Sequence, residues 1–159
     1  MLQSRPSRWQ TCIKGLSKNM GYRRKAREYA LQMLYQYDLS RESEYLLDGY
    51  WRGKEITEDV KEFSNSIVEG VIKNLSMIDT KISQSASNWS IERMAAVDRN
   101  ILRMATYELL FMNDIPVKVT INEAIEIAKR YGGDDSGAFV NGILDRILKD
   151  HQEMVKDKL

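Results

Sequence analysis

The sequence predicts an all-α fold, a compact helical bundle of about six or seven helices. Three observations carry this. Apolar residues recur at spacings of three and four in one segment after another, the period of a helix buried along one face. Two prolines in 159 residues leave room for long helices. No stretch alternates like a strand, and Val117–Val119 is too short to be one. A chain of this length fits one domain with a real core.

Residues 1–19 mix Arg, Ser, Gln, Lys and Gly without a period and read as a disordered extension, with Met20 as a candidate start. Residues 20–150 form the helical domain, and 151–159 a charged tail. The first helix is expected over Tyr22–Ser40, with Ala26, Tyr29, Ala30, Met33, Leu34 and Tyr37 facing the core. Arg24, Arg27, Glu28, Leu31 and Tyr35 fall on the opposite face. Residues 40–56 form a polar connection, tacked down by Tyr45, Leu46, Leu47, Tyr50 and Trp51.

Thr57 caps the second helix, whose stripe is Val60, Phe63, Ile67, Val71 and Leu75. Ser76 caps the third, with Met77, Ile78, Ile82 and Trp89 as its apolar contacts. Ser90 caps a short turn. The helix from about Ala96 to Met112 is apolar over most of its circumference and is expected at the centre of the bundle. Asn113-Asp114-Ile115-Pro116 ends it, because the residue before proline avoids the helical region. Thr120-Ile121-Asn122-Glu123 reads as a capping box opening the next helix. Gly132-Gly133 stops that helix by way of a left-handed C-cap. Asp134, Asp135 and Ser136 are N-cap residues for the last helix, whose buried face is Val140, Ile143, Leu144 and Ile147. Glycine at 142, in mid-helix, costs about 1 kcal/mol against alanine and implies close packing there.

Composition excludes more than it selects. With 24 basic and 23 acidic side chains, net charge +1 singles out no partner. A lone cysteine, Cys12, excludes an internal disulfide framework and a Cys-based zinc site. No apolar run approaches the roughly 20 residues of a membrane span. Arg5 and Arg8 precede no apolar h-region, so a cytoplasmic location is expected and a secretory signal is not. His151 stands alone, no glycine-rich loop follows a strand, and Asp134-Asp135 has no nucleophile beside it. No catalytic residue, metal or cofactor is expected.

Local charge is more informative. Arg23, Arg24, Lys25 and Arg27 crowd the first turn of the first helix. The macrodipole is positive there and disfavours each cation by about 0.3–1 kcal/mol. Either an anionic partner answers that penalty or the helix end is a solvated, frayed face. Tyr35 and Phe139 are the candidate aromatics for stacking unpaired bases. Tyr35 points away from its helix's core, whereas spacing alone favours a core-edge role for Phe139. Asp135 lies one turn before Phe139 on the same flank.

Two blocks carry a resemblance. Asn122-Glu123-Ala124-Ile125-Glu126-Ile127-Ala128-Lys129 with Phe139-Val140-Asn141-Gly142-Ile143-Leu144-Asp145 resembles the C-terminal signature of the NusB family of bacterial transcription antitermination factors. Arg23-Arg24-Lys25-Ala26-Arg27-Glu28, with Ala30-Leu31-Gln32 and Leu34-Tyr35, resembles its first helix. The match is collinear from about Tyr22 to Leu148. The resemblance implies two packed helical subdomains and a non-enzymatic adapter. It implies binding to boxA-containing RNA of ribosomal-RNA leaders together with NusE, a small-subunit ribosomal protein, within the transcription elongation complex. It places Arg23, Arg24, Lys25, Arg27, Tyr35, Asp135 and Phe139 on the RNA side. Glu92 and Asp98 match acidic positions near NusE; for Asp98 a plain helix N-terminal charge is an equal reading. If all four cations meet phosphates, log affinity falls with log salt at a slope of about −3. The alternatives are a fragment of a ribosomal-RNA cytosine methyltransferase, which would need a Rossmann-type domain this sequence lacks, and a helical scaffold without RNA.

Overall fold

The computed structural model describes residues 21–42 and 46–155. The expected extension over 1–19, and Tyr45, lie outside them. Among the described residues there is no strand. The helices are α1 (Tyr22–Ser40), α2 (Leu46–Trp51), α3 (Glu58–Lys73), α4 (Leu75–Ser85), α5 (Ala96–Phe111), α6 (Val117–Tyr131), α7 (Ser136–Asp150) and α8 (Gln152–Val155), with a 3-10 turn at Ile91–Arg93.

α5 is the centre, as its all-round apolarity predicts. Ile101, Leu102, Met104, Ala105 and Leu109 are all sealed from solvent. α1 and α3 pack on it and on each other; α4, α6, α7 and α8 also touch it. One continuous apolar core joins all of them.

Several local readings are corrected. α6 starts four residues early, with Pro116 as N-cap where Thr120 was expected. Thr120 is therefore inside the helix and buried, and its hydroxyl donates to Glu108 Oε1 at 3.3 Å. Glu123 turns to Arg24, so no capping box forms. Packing decides this, since Glu108 takes the threonine hydroxyl and Arg24 the glutamate carboxylate. α4 is capped by Asn74, not Ser76, and runs on from α3 without a loop; Asn74 Nδ2 donates back to Gly70 O at 2.8 Å. The connection after α1 contains α2. Its Trp51 ring lies edge-on to Tyr29 at 5.2 Å, and the indole N–H donates to Asn65 at 2.7 Å. Past Asp150, the turn of α8 seats Val155 in the core.

Leu31 is a further correction: assigned to the outer face, it is 0% exposed. Periodicity marks a stripe, but α1 is covered on more than one side, by α3 and by α5. Trp89, expected as a core contact of α4, stands 54% exposed in the loop after it.

Candidate nucleic-acid interface

The basic first turn of α1 is held by acids from other elements. Arg24 Nε and Nη2 donate to both oxygens of Glu123 on α6, at 2.7 and 2.6 Å. Arg23 reaches Asp114 at 3.4 Å in an exposed pair and lies over the Phe63 ring, 5.1 Å from its centroid. Lys25 is half-exposed. Arg27 corrects the sequence reading. It is 2% exposed and forks onto Glu108 of α5, with Nε at 2.9–3.1 Å and Nη2 at 2.7 Å. Its guanidinium is not presented to solvent. The dipole penalty that pointed to an anionic ligand is thus answered within the fold at Arg23, Arg24 and Arg27.

Arg24, Glu28, Leu31 and Tyr35 follow one another at helical spacing along a single face of α1. Glu28 is 1% exposed; the Tyr131 hydroxyl donates to it at 2.9 Å and Arg130 Nη1 at 3.0 Å. Burial pushes its carboxyl up; Tyr131 and Arg130 pull it down but do not fully offset the burial. Arg24, Glu28, Lys129 and Arg130 line one shallow cleft between α1 and α6. Tyr35 lies two turns beyond Glu28 and is half-buried.

Tyr131 leads into the turn at Gly132-Gly133. Gly132 has φ −90°, so it is not the left-handed cap expected. Close approach explains the glycine instead: a Cβ would sit 2.3 Å from Ser136 Oγ and 2.7 Å from the Ala128 carbonyl oxygen. Ser136 Oγ accepts from the Gly133 N–H at 2.9 Å, which closes the turn. Asp135 is the N-cap of α7, exposed and without a side-chain cap bond. Phe139, one turn on, is partly buried and meets Trp89 edge-on at 6.0 Å. Arg24, Glu28 and Arg130, the 132–136 turn and Phe139 therefore follow one another along contacting elements.

Glu92 is exposed on the 3-10 turn. Asp98, in the first turn of α5, is 9% exposed, and its Oδ1 has no hydrogen-bond partner among the described residues. The carboxylate complements the helix dipole there.

The family model for NusB matches residues 24–149. The transcription antitermination protein NusB of Trichlorobacter lovleyi is 53% identical over 129 residues, covering 80% of this chain and 91% of that protein. Its counterpart from Thermodesulfovibrio yellowstonii is 45% identical over 139 residues, covering 80% and 92%. The chain belongs to the NusB family. Among solved structures, T. maritima NusB superposes with a TM-score of 0.75 at 46% identity, over 84% of this chain and 96% of that one. A chain in a crystal structure of antitermination factors NusB and NusE in complex with dsRNA gives 0.75 at 30% identity, over 83% and 99%. Within this NusB-family fold, sequence reasoning missed Lys129 and Arg130 beside Arg24, and Trp89 beside Phe139. Lys129 and Arg130 were legible as cations in the last turn of α6, and Trp89 as a large apolar residue flanked by Asn88 and Ser90.

Proposed function

We propose that this chain is a transcription antitermination factor. It acts in the cytoplasm as a non-enzymatic adapter that binds boxA RNA of ribosomal-RNA leader transcripts jointly with NusE. The observation that carries the reading is the likeness, over 83% of this chain and 99% of that one, to a chain in the structure of antitermination factors NusB and NusE in complex with dsRNA. Supporting it, the described surface offers cations at the start of α1, then Arg130, then an aromatic ring at Phe139, along adjoining elements. Arg23, Arg24 and Lys25 meet phosphates, Arg23 exchanging the exposed Asp114 and Arg24 the part-buried Glu123 for RNA. Tyr35 and Phe139 offer stacking faces, and Asp135 accepts from base amines. Arg27 holds α1 in place from within. Glu92, exposed on the 3-10 turn, and Asp98, at the start of α5, supply the acidic positions on the NusE side. The methyltransferase reading is not favoured, because the relatives matched over nine-tenths of their length are antitermination proteins.

The test is boxA RNA affinity against salt for the parent and for a variant with Arg23, Arg24 and Lys25 replaced by glutamine. Three phosphate contacts give a slope of about −2, or about a twenty-fold loss between roughly 50 and 200 mM salt. The variant should flatten the slope by that amount. A variant that keeps the parent's slope would remove RNA from this end of α1.

A further inference from the structure

We infer that the cleft beside Trp89 and Phe139, between the loop after α4 and the outer face of α7, is a pocket for one unpaired base of single-stranded RNA, with Trp89 as its stacking platform. The inference rests on the RNA-binding reading above. It assigns a base site that includes residues outside the matched RNA positions.

The cleft has a volume of about 410 Å³ and lies between the loop after α4 and the outer face of α7. An indole left 54% exposed and held edge-on to Phe139 at 6.0 Å gives it one fixed aromatic wall. Gly142 lines it as well. The sequence expectation that something packs on Gly142 is overturned: a Cβ built there meets nothing within 4 Å. A mid-helix glycine without a packing neighbour lowers helix stability for no structural return. In the cleft it has a reason, because any longer side chain at 142 projects into the space beside the rings.

Chemistry selects the occupant. Arg146, Lys149 and Asp145 stand at the cleft, and among the described residues the two cations pair with Asp150 and Asp145 of their own helix, at 3.5 and 3.0 Å. Such exposed pairs contribute little in water and exchange readily for a phosphate. Ser87 and Asn88 add donors and acceptors on the loop side. An apolar helix would find this rim too polar. A planar base with a phosphate on either side matches the aromatic wall, the amide and hydroxyl groups, and the two cations together.

The experiment titrates fluorescein-labelled boxA RNA into the full chain and into Trp89→Ala and Gly142→Leu, with circular dichroism confirming the helix content of each. Gly142→Leu fills the cleft without altering charge. Both variants should bind about five- to 150-fold more weakly, the range for losing one stacked base. If the parent binds and either variant stays within two-fold of it, the cleft is not a base site, while the RNA reading stands. If the variants change the sedimentation coefficient of the free chain instead of its RNA affinity, a second copy occupies the cleft and the inference falls. A parent that does not bind RNA overturns the wider reading and this one with it.

Discussion

Arg27 shows how a charged residue joins a core. Its partner Glu108 lies 81 positions away, and both side chains are almost sealed from water. Phe63 covers the guanidinium, 5.4 Å from ring centroid to Cζ, and Thr120 donates to the same carboxylate. Buried charges persist only when paired and hydrogen-bonded in this way. Arg27→Gln leaves Glu108 without its charge partner and should cost about 3–5 kcal/mol, read as a lower midpoint in urea. Lys25→Gln, on the half-exposed side, should stay within about 0.5 kcal/mol of the parent. Equal midpoints for the two variants would contradict this account of Arg27. Replacing all four N-terminal cations together would therefore confound RNA binding with unfolding. The sequence could not expose this, because spacing flags apolar residues as inward and says nothing about a distant acid that neutralises an arginine.

At the scale of elements, boundaries depend on backbone chemistry more than on motif strings. α5, α6 and α7 are legible from their apolar period, and Pro116 marks where α6 starts. The capping-box string at 120–123 misleads because its threonine and glutamate are taken by Glu108 and Arg24, contacts that exist only once α1, α5 and α6 are packed. Gly132 was legible as a stop but for the wrong reason. The turn is tight: Ser136 and the Ala128 carbonyl leave no room for a Cβ. Because backbone must move to admit a methyl, Gly132→Ala should destabilise by about 1–3 kcal/mol. It should also shift the amide resonances of Asp135 and Phe139, which the turn positions. A variant with parent stability and unshifted resonances would show that the turn yields freely.

Across the whole molecule, Asp38 ties α1 to the centre. It accepts from Arg99 at 2.7 and 2.9 Å and from Asn100 at 3.1 Å, and pairs with Arg103 at 3.1 Å. Arg103 in turn forks onto Asp79 of α4, at 2.8 and 2.9 Å. Burial pushes the Asp38 carboxyl up, but the hydrogen bonds from Arg99, Arg103 and Asn100 outweigh it and hold it below its ordinary 3.8. A carboxyl lowered by folding stabilises the fold fully above its unfolded value and loses that contribution as pH falls through the folded one. Asp38→Asn should therefore cost about 3 kcal/mol at neutral pH, and its deficit against the parent should shrink below about pH 4. A deficit constant from pH 7 to pH 3 would contradict the network. None of this hub was visible in the sequence, where Asp38 is one acid among many at the end of a helix. The bundle itself was legible, since apolar period and a nearly proline-free chain leave few other folds. The proposed interface was half legible: its cations stand out in type and spacing, whereas Phe139 reads by spacing as a core-edge residue, and Trp89 and Arg130 acquire meaning only from what packs beside them.

In the proposed function one small helical body joins an RNA to a protein on neighbouring surfaces, so that each strengthens the other's binding. Calorimetric titration of boxA RNA into this chain, with and without saturating NusE, tests it most directly. Linkage requires that NusE tighten RNA binding by the same factor by which RNA tightens NusE binding, typically about 5- to 150-fold. Matching factors in that range are the predicted result. RNA affinity unchanged by NusE, or no RNA binding by the folded chain, would contradict the account.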